Sequence, residues 1–386
     1  EFAAKGTAPS CGAVPTGDFA SVPAGTGCAG SAICMASSTD PGISNGASTV
    51  DLLTIDDGTF TAGEYRQDPS NQTSALDVNQ NNYTELEFAV RITENAADES
   101  YCFRVTDNGT EYDSYEQVAE LQLRFDPIFG GVSFNGGADI VLLPGTTTRV
   151  FATSTVTDLN GFADLVGGAA TSTMYTSSSS ALCTADNNDC YIETTATSCS
   201  FVSCSGNSCT LSCYADFFFH ANPTDEAGGD WFALLEVEDA GGGYAFNTSP
   251  GIDVGTLRAL TVTDSIAYPA LAPLADSGST NATSTITNLG NDAIDVLVSG
   301  TDLTDGISSN IPVTQQRFAT STFTYSACTN NCIPLGATAT SVEVDLIKPT
   351  APTPPVVDEL YWGIAVPLGV SSNLHTGENT FIATDD

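Results

Sequence analysis

Basic side chains are scarce in this sequence: nine Lys and Arg stand against 47 Asp and Glu, for a net charge of −38. A nucleic-acid partner needs a basic footprint and is ruled against, and the same charge argues against binding an anionic membrane surface. The acids are scattered rather than run together, which describes a solvated acidic surface and not a disordered acidic tail. Histidine is nearly missing too, with only His220 and His375 to serve acid–base chemistry. No apolar run approaches transmembrane length, so no membrane insertion is expected in this segment. Helical periodicity is found nowhere over a useful length, which leaves an all-β chain.

What the sequence does have is alternation. Leu86, Phe88, Val90 and Ile92 share one face, as do Tyr101, Phe103 and Val105, then Ala119, Leu121, Leu123 and Phe125. Glu85, Glu87, Arg91, Arg104, Glu120 and Arg124 lie opposite, so residues 83–125 read as three consecutive strands of a half-buried antiparallel sheet. Asp107-Asn108-Gly109 supplies turn chemistry. Further strands are expected at 138–143, 148–158, 214–220, 231–238, 284–287, 294–298, 318–325, 341–347, 360–366 and 380–383. The run 214–220, Tyr-Ala-Asp-Phe-Phe-Phe-His, suits a strand buried on both sides. Trp231, Ala233, Leu235 and Val237 should point inward. Ala-Thr-Ser-Thr recurs at 152, 170, 282 and 319, each time leading into a strand-like run. The Pro-rich stretch 349–355 must be loop or edge. At 386 residues the chain is long enough for three units of roughly 100 to 150 residues. They read as tandem immunoglobulin-like β-sandwiches: 1–126, whose first strand is incomplete; 127–258, with a cysteine-rich insertion at 183–213; and 259–386.

Twelve cysteines, Cys11, Cys28, Cys34, Cys102, Cys183, Cys190, Cys199, Cys204, Cys209, Cys213, Cys328 and Cys332, point to disulfides and an oxidising, extracellular compartment. Zinc is disfavoured because no Cys-x-x-Cys pair occurs among them. The insertion 183–213 reads as a disulfide-stapled loop without an apolar core of its own. Cys183–Cys190 and Cys328–Cys332 are the local pairings to test first. Sequons begin at Asn71, Asn82, Asn108, Asn247 and Asn281, candidates for glycan attachment at the cell surface.

No cofactor is required by the sequence, and calcium is the candidate ion, since alternating carboxylate and amide oxygens can converge on a hard cation. The candidate ligands are Asp77, Asn79 and Asn81; Asp158, Asn160 and Asp164; and Asp186 with Asp189. Each set lacks the full EF-hand complement, and Asx residues are ordinary turn formers. Gly42-Ile-Ser44-Asn-Gly46 matches a nucleophile-elbow pattern, but no helix follows it, so it reads as a turn. His220 ends an apolar strand and reads as a satisfied core or rim residue. His375 sits in a turn and reads as solvated. Glu236 and Glu238 share a strand face and read as solvated. Trp231 and Trp362 lie in strands and read as core. No catalytic residue is assigned, and the chain is not expected to be an enzyme.

Three stretches, residues 1–8 (Glu-Phe-Ala-Ala-Lys-Gly-Thr-Ala), Tyr83-Thr-Glu-Leu-Glu-Phe-Ala and Tyr101-Cys-Phe-Arg-Val-Thr-Asp-Asn-Gly, resemble a repeat module in large secreted proteins of ultra-small candidate-phylum bacteria. Residues 259–386, with Thr287-Asn-Leu-Gly-Asn and Tyr361-Trp-Gly-Ile-Ala-Val-Pro, look like immunoglobulin-type modules of prokaryotic surface-layer and adhesin chains. The resemblance implies an extracellular, multi-domain surface protein and no reaction. It also implies a further strand ahead of Glu1. One departure is that Tyr101 directly precedes Cys102, whereas the tyrosine corner of immunoglobulin domains sits two residues before its cysteine.

The sequence therefore favours a structural subunit of an extracellular assembly, a filament, pilus-like thread or surface layer built from copies of itself. In that reading an incomplete first sandwich accepts a strand from a neighbour, and Glu1, Phe2, Ala3, Ala4, Lys5 and Gly6 lie at the subunit junction. A monomeric adhesin or ligand-binding surface protein is the alternative, and a secreted hydrolase is the weakest reading.

Overall fold

Alternation decides which face of a strand is buried but says nothing about which strand lies beside it, and the fold turns on that second question. The computed structural model describes residues 1–23, 28–36, 48, 59–62, 65–66, 82–83, 87–93, 95–97, 99–107, 110–111, 119–123, 125–225, 229–329 and 332–386. The chain divides into two compact units. The first comprises Glu1–Pro127, Asp158–Gly168 and Asp239–Gly243; the second comprises Ile128–Thr157, Ala169–Glu238 and Tyr244–Asp386.

In the first unit the strand Ser100–Phe103 is central, with Phe2–Ala4 on one side and Ala119–Gln122 on the other, both antiparallel. The segment expected at a subunit junction is thus part of its own chain's sheet. Phe2 also exchanges both backbone hydrogen bonds with Ala20 at 2.8 Å, and the Arg104 guanidinium holds the Glu1 carboxylate at 2.7 Å. Of the three strands expected across 83–125, Ser100–Phe103 and Ala119–Gln122 pair antiparallel as expected, but among the described residues the strand before them does not join their sheet. Val90–Ile92 pairs with Ile33–Met35, and Glu87–Phe88 runs parallel to Tyr65–Arg66. Ile92 and Val105, assigned to buried faces, are 42% and 44% exposed. The period of two was real locally, but Val90–Ile92 and Glu87–Phe88 take their partners from earlier in the chain, which alternation cannot reveal. Tyr101, Leu123, Ile33 and Ala96 form the core, and Cys11–Cys102 fastens the N-terminal loop beneath the sheet.

The second unit contains two sandwiches. One sheet of the first has the order Ile128–Phe129, Thr147–Thr157, Ser208–Phe218, Cys199–Ser205; the facing sheet has Cys190–Thr194, Ala169–Thr176, Trp231–Glu238, Tyr244–Thr248. Trp231, Ala233, Leu235 and Val237 point inward as their spacing requires. Phe217 from one sheet stacks on Tyr191 at 4.2 Å and tilts against Trp231 at 4.9 Å from the other. Burying the indole is made tolerable by its N–H, which donates to the Asn222 carbonyl at 2.9 Å. The supposed insertion 183–213 is not a coreless loop. It supplies two whole strands and part of a third, and its inward positions Cys199, Cys209, Leu211 and Cys213 are buried. Ser and Thr on the outer positions masked that alternation. Within Ser208–Phe218 burial alternates strictly, so this strand is not buried on both faces; Phe219, His220 and Ala221 are all buried only beyond its end.

The other sandwich sets Leu260–Val262, Ala282–Asn288, Val357–Ile364, Gln316–Ala319 and Ile333–Pro334 against Thr340–Leu346, Ile294–Gly300 and Asn379–Asp385. Trp362 is fully buried beside Phe318 and Phe381, and its N–H donates to the Ser284 hydroxyl at 2.9 Å. Three of the four Ala-Thr-Ser-Thr copies lie inside strands; the fourth begins where Gln316–Ala319 ends, so 318–325 is not a continuous strand. Residues 138–143 contribute only a bridge from Ile140 to Val254. A six-residue helix, Phe162–Gly167, is the one departure from the all-β expectation among the described α-helical residues; it is too short to impose a periodic signature.

A buried joint connects these two sandwiches. Asn291 is 0% exposed, and its amide donates to the carbonyls of Ala221 and Gly255 at 3.0 and 3.1 Å while its oxygen accepts the Leu257 N–H at 2.6 Å. Gly145 N–H reaches the Leu289 carbonyl at 3.0 Å. Gly290 is required by close approach, since a Cβ there would lie 1.9 Å from the Leu257 oxygen. The turn Asn288-Leu-Gly-Asn-Asp292 is thus a plug between sandwiches.

Candidate functional site

Three polar clusters merit consideration. In the first unit, Asp158, Asp164 and Asp239 place one carboxylate oxygen each within 4.8 Å of one another. Asp158 Oδ1 accepts the Asn160 N–H at 2.8 Å, and Asn160 in turn donates to Asp164 at 3.3 Å. Asp239 is held by a turn in which its Oδ1 accepts the Gly243 N–H at 2.6 Å. The structure therefore gathers Asp158, Asn160 and Asp164 as the sequence suggested, and adds Asp239, which precedes the glycine run 241–243. All-oxygen donors suit a hard cation, but Asp158 and Asp239 also engage further partners.

In the second unit, Asp295, Glu343 and Asp345 form a like cluster that the sequence reading missed. A bulge between Ile294 and Val296 brings it about, and buried Asp295 accepts the N–H groups of Val344 at 2.8 Å and Asp345 at 3.1 Å. The neighbouring Asp295 charge pushes the Glu343 carboxyl up from its ordinary range. The available signal was an acid at an inward position of the apolar run Ile294-Asp-Val-Leu-Val.

The third cluster involves His375, which is half-buried rather than solvated. Its Nδ1 lies 2.9 Å from the Asn373 carbonyl, which fixes the proton there, and its Nε2 lies 2.9 Å from Ser309 Oγ. A Ser–His contact is the geometry of an activated nucleophile. Here, however, Ser309 Oγ also meets Asp305 Oδ2 at 3.1 Å and Ser371 Oγ at 3.0 Å, and accepts the Ser371 N–H at 3.2 Å. One hydroxyl has a single proton and two lone pairs, fewer than these four contacts ask for, so its proton is shared with Asp305 and Ser371 rather than reserved for the imidazole. Asp305 ties the loop: the Ser371 hydroxyl and the N–H groups of Ile307, Ser308 and Ser309 hold its carboxyl well below the usual carboxylate range.

His220 departs from its expected role as a satisfied core residue. It is 0% exposed, its Nδ1 is 3.1 Å from Asn188 Oδ1, and its Nε2 is buried without a hydrogen-bond partner. Asp186 and Asp189 are not assembled as cation ligands. Asp186 Oδ1 accepts the N–H groups of Asn188, Asp189 and Cys190, an Asx turn, and Asp189 Oδ1 accepts from Asn222 and Thr176. Glu236 accepts from the Tyr244 hydroxyl.

All twelve cysteines are paired: Cys11–Cys102, Cys28–Cys34, Cys183–Cys190, Cys199–Cys213, Cys204–Cys209 and Cys328–Cys332. Of the sequons, Asn247 donates its amide to the Gly130 carbonyl at 2.8 Å, and the Asn281 amide nitrogen is buried, which closes that site to a glycan in the folded chain. Gly42-Ile-Ser44-Asn-Gly46, Asp77, Asn79, Asn81, Asn71 and Asn108 lie outside the described residues, as does the side chain of Asn82.

No family model and no curated protein matches the sequence. Among solved structures, two marsupial T cell receptor chains are similar at 7% identity. One alignment covers 67% of this chain and 71% of the other with a TM-score of 0.18; the second covers 77% and 74% with a TM-score of 0.19. A chain named BspA_C_WT is similar at 9% identity over 65% of this chain and 92% of that one, with a TM-score of 0.15. Superpositions this loose carry no argument about fold or function.

Proposed function

We propose that this chain is a structural subunit of an extracellular surface assembly, built from copies of itself, and not an enzyme. The observation that carries this reading is the buried Asn291 joint, which fastens the two sandwiches of the second unit to one another. A rigid joint between tandem sandwiches suits a chain that transmits force along its length. Six disulfides and a charge of −38 fit an oxidising, solvent-facing setting, where a salt or cationic environment offsets the self-repulsion. Since Phe2–Ala4 is paired within its own sheet, contacts between copies fall to other edges, such as Tyr244–Thr248 and Cys199–Ser205 at the borders of the first sandwich pair.

Negative-stain electron microscopy of the purified chain, over a range of concentration and salt, tests the proposal. Filaments or a lattice are expected. A monodisperse species at every concentration, together with saturable binding to a surface glycan or protein, would replace it with the adhesin reading.

A further inference from the structure

Besides Asn291, the two sandwiches of the second unit share a smaller contact centred on Asn188. Its amide donates to the Thr350 carbonyl at 2.7 Å, its backbone carbonyl accepts the Asn222 N–H at 2.9 Å, and its Oδ1 accepts from both Lys348 Nζ at 3.2 Å and His220 Nδ1 at 3.1 Å. Asn188 and His220 belong to the sandwich before residue 259; Lys348 and Thr350 belong to the one after it. The amide orientation is fixed by the Thr350 carbonyl, which can only accept. Asn188 Oδ1 must therefore accept as well, so the His220 Nδ1 carries a proton. The ring lies 5.4 Å from Phe218 in a stacked arrangement and 5.2 Å from Phe219 edge-on, and Nε2 faces no acceptor.

We propose that His220 is an acid-sensitive pin: its protonation releases the Asn188 clasp and loosens the two sandwiches from one another, while the Asn291 joint, which does not titrate, keeps them tethered. Protonation would add an N–H at Nε2 where nothing accepts it, and would set a second cation beside the Lys348 ammonium on a single amide oxygen. The charged groups around the ring are few. Lys348 faces it from the loop after Thr340–Leu346 and opposes its protonation, and Asp186, from the turn before Cys190–Thr194, favours it. Asp189 in the same turn is engaged by Asn222 and Thr176, and the Tyr191 hydroxyl donates to the Asn187 carbonyl at 2.7 Å. Burial, more than the Lys348 charge, brings the ring down to about 4 from its ordinary 6.5.

The sign follows from that lowering. Above pH 6.5 neither the clasped nor the released form carries the proton, and the clasp is at full strength. As pH falls from 6.5 toward 4 the released form takes up a proton that the clasped form refuses, and the clasped-to-released ratio drops by roughly tenfold per pH unit. Below about 4 both forms are protonated and the effect levels off.

The test is hydrogen exchange by mass spectrometry on the full chain at matched pH values from 7.5 to 4, with His220→Gln as the reference. Peptides around Asn188 and Asn222 and around Lys348 should exchange alike in both proteins at pH 7.5, then open selectively in the wild type as pH falls. Parallel behaviour of the two proteins across the range would overturn the proposal. Should the Gln variant not fold, Lys348→Met serves instead: it removes a cation that opposes protonation of the clasped form, which narrows the gap between the clasped and released His220, so the loss of protection between pH 6.5 and 4 should be shallower than in the wild type, and an equally steep loss would refute the role given to His220. NMR supplies an independent readout, because His220 and His375 are the chain's only imidazoles. A His220 ring that titrates at 6.5 with no change across the clasp would equally count against it.

Discussion

The two contacts between the sandwiches of the second unit use the same residue type in opposite ways. Asn291 is sealed from solvent, and all three of its cross-links run to backbone groups whose protonation state never changes. Asn188 is only half-buried, and its oxygen is shared between a lysine and a histidine. A buried amide whose hydrogen bonds are all met gives a joint of fixed strength, because breaking it strands several backbone groups at once. An amide shared with an ionisable ring gives a contact whose strength depends on the medium. The pairing of a permanent joint with an adjustable one is a reasonable arrangement for a segment that must stay connected while its stiffness varies.

The contrast can be broken most severely at its permanent side. Asn291→Ala strands the buried Ala221 carbonyl and removes the half-buried bonds to the Gly255 carbonyl and the Leu257 N–H, an expected loss of about 3 kcal/mol measured by denaturant unfolding at neutral pH. Asn188→Ala at neutral pH should cost about 1 kcal/mol, since its partners lie closer to water, and it should abolish the acid-dependent opening. Equal losses for the two variants would erase the distinction drawn between the contacts. The smallest effect is expected away from both contacts. Glu343 has its carboxyl pushed up by Asp295, so at neutral pH the folded state holds a charge it would rather neutralise. Glu343→Gln should raise Tm slightly at pH 7, with the gain vanishing as acid protonates the wild-type carboxyl. Hydrogen exchange at the Asn188 clasp should stay as in the wild type throughout.

Legibility in the sequence followed the distance over which each signal acts. Strands such as Trp231–Glu238 and Thr340–Leu346 were plain because Trp231, Ala233, Leu235 and Val237, or Val342, Val344 and Leu346, face one core side by side. The strands within 183–213 were hidden because buried Cys alternates there with Ser and Thr, and a pattern defined on hydrophobic residues passes over it. In the first unit the pairing of Ser100–Phe103 with Ala119–Gln122 was legible, whereas Val90–Ile92 meets Ile33–Met35 across more than fifty residues, and no local pattern encodes that choice. The same limit applied to sites. Asp158, Asn160 and Asp164 could be seen together because one turn holds them, whereas Asp239, Asp295 and the Ser309–His375 contact are brought in by the fold. In the sequence Asn291 stood only as the last residue of the motif Thr287-Asn-Leu-Gly-Asn. Its importance lies in the carbonyls of Ala221 and Gly255, and backbone groups leave no mark in a sequence.

The most direct test of the account is whether the two sandwiches of the second unit behave as one body. Pulse-labelled hydrogen exchange along a denaturant series can follow Thr147–Thr157 in one sandwich and Ile294–Gly300 in the other within the same full-length chain. At neutral pH the two strands should lose protection together in the wild type and at separate denaturant concentrations in Asn291→Ala. Separate losses already in the wild type would contradict the claim that the Asn291 joint makes them one.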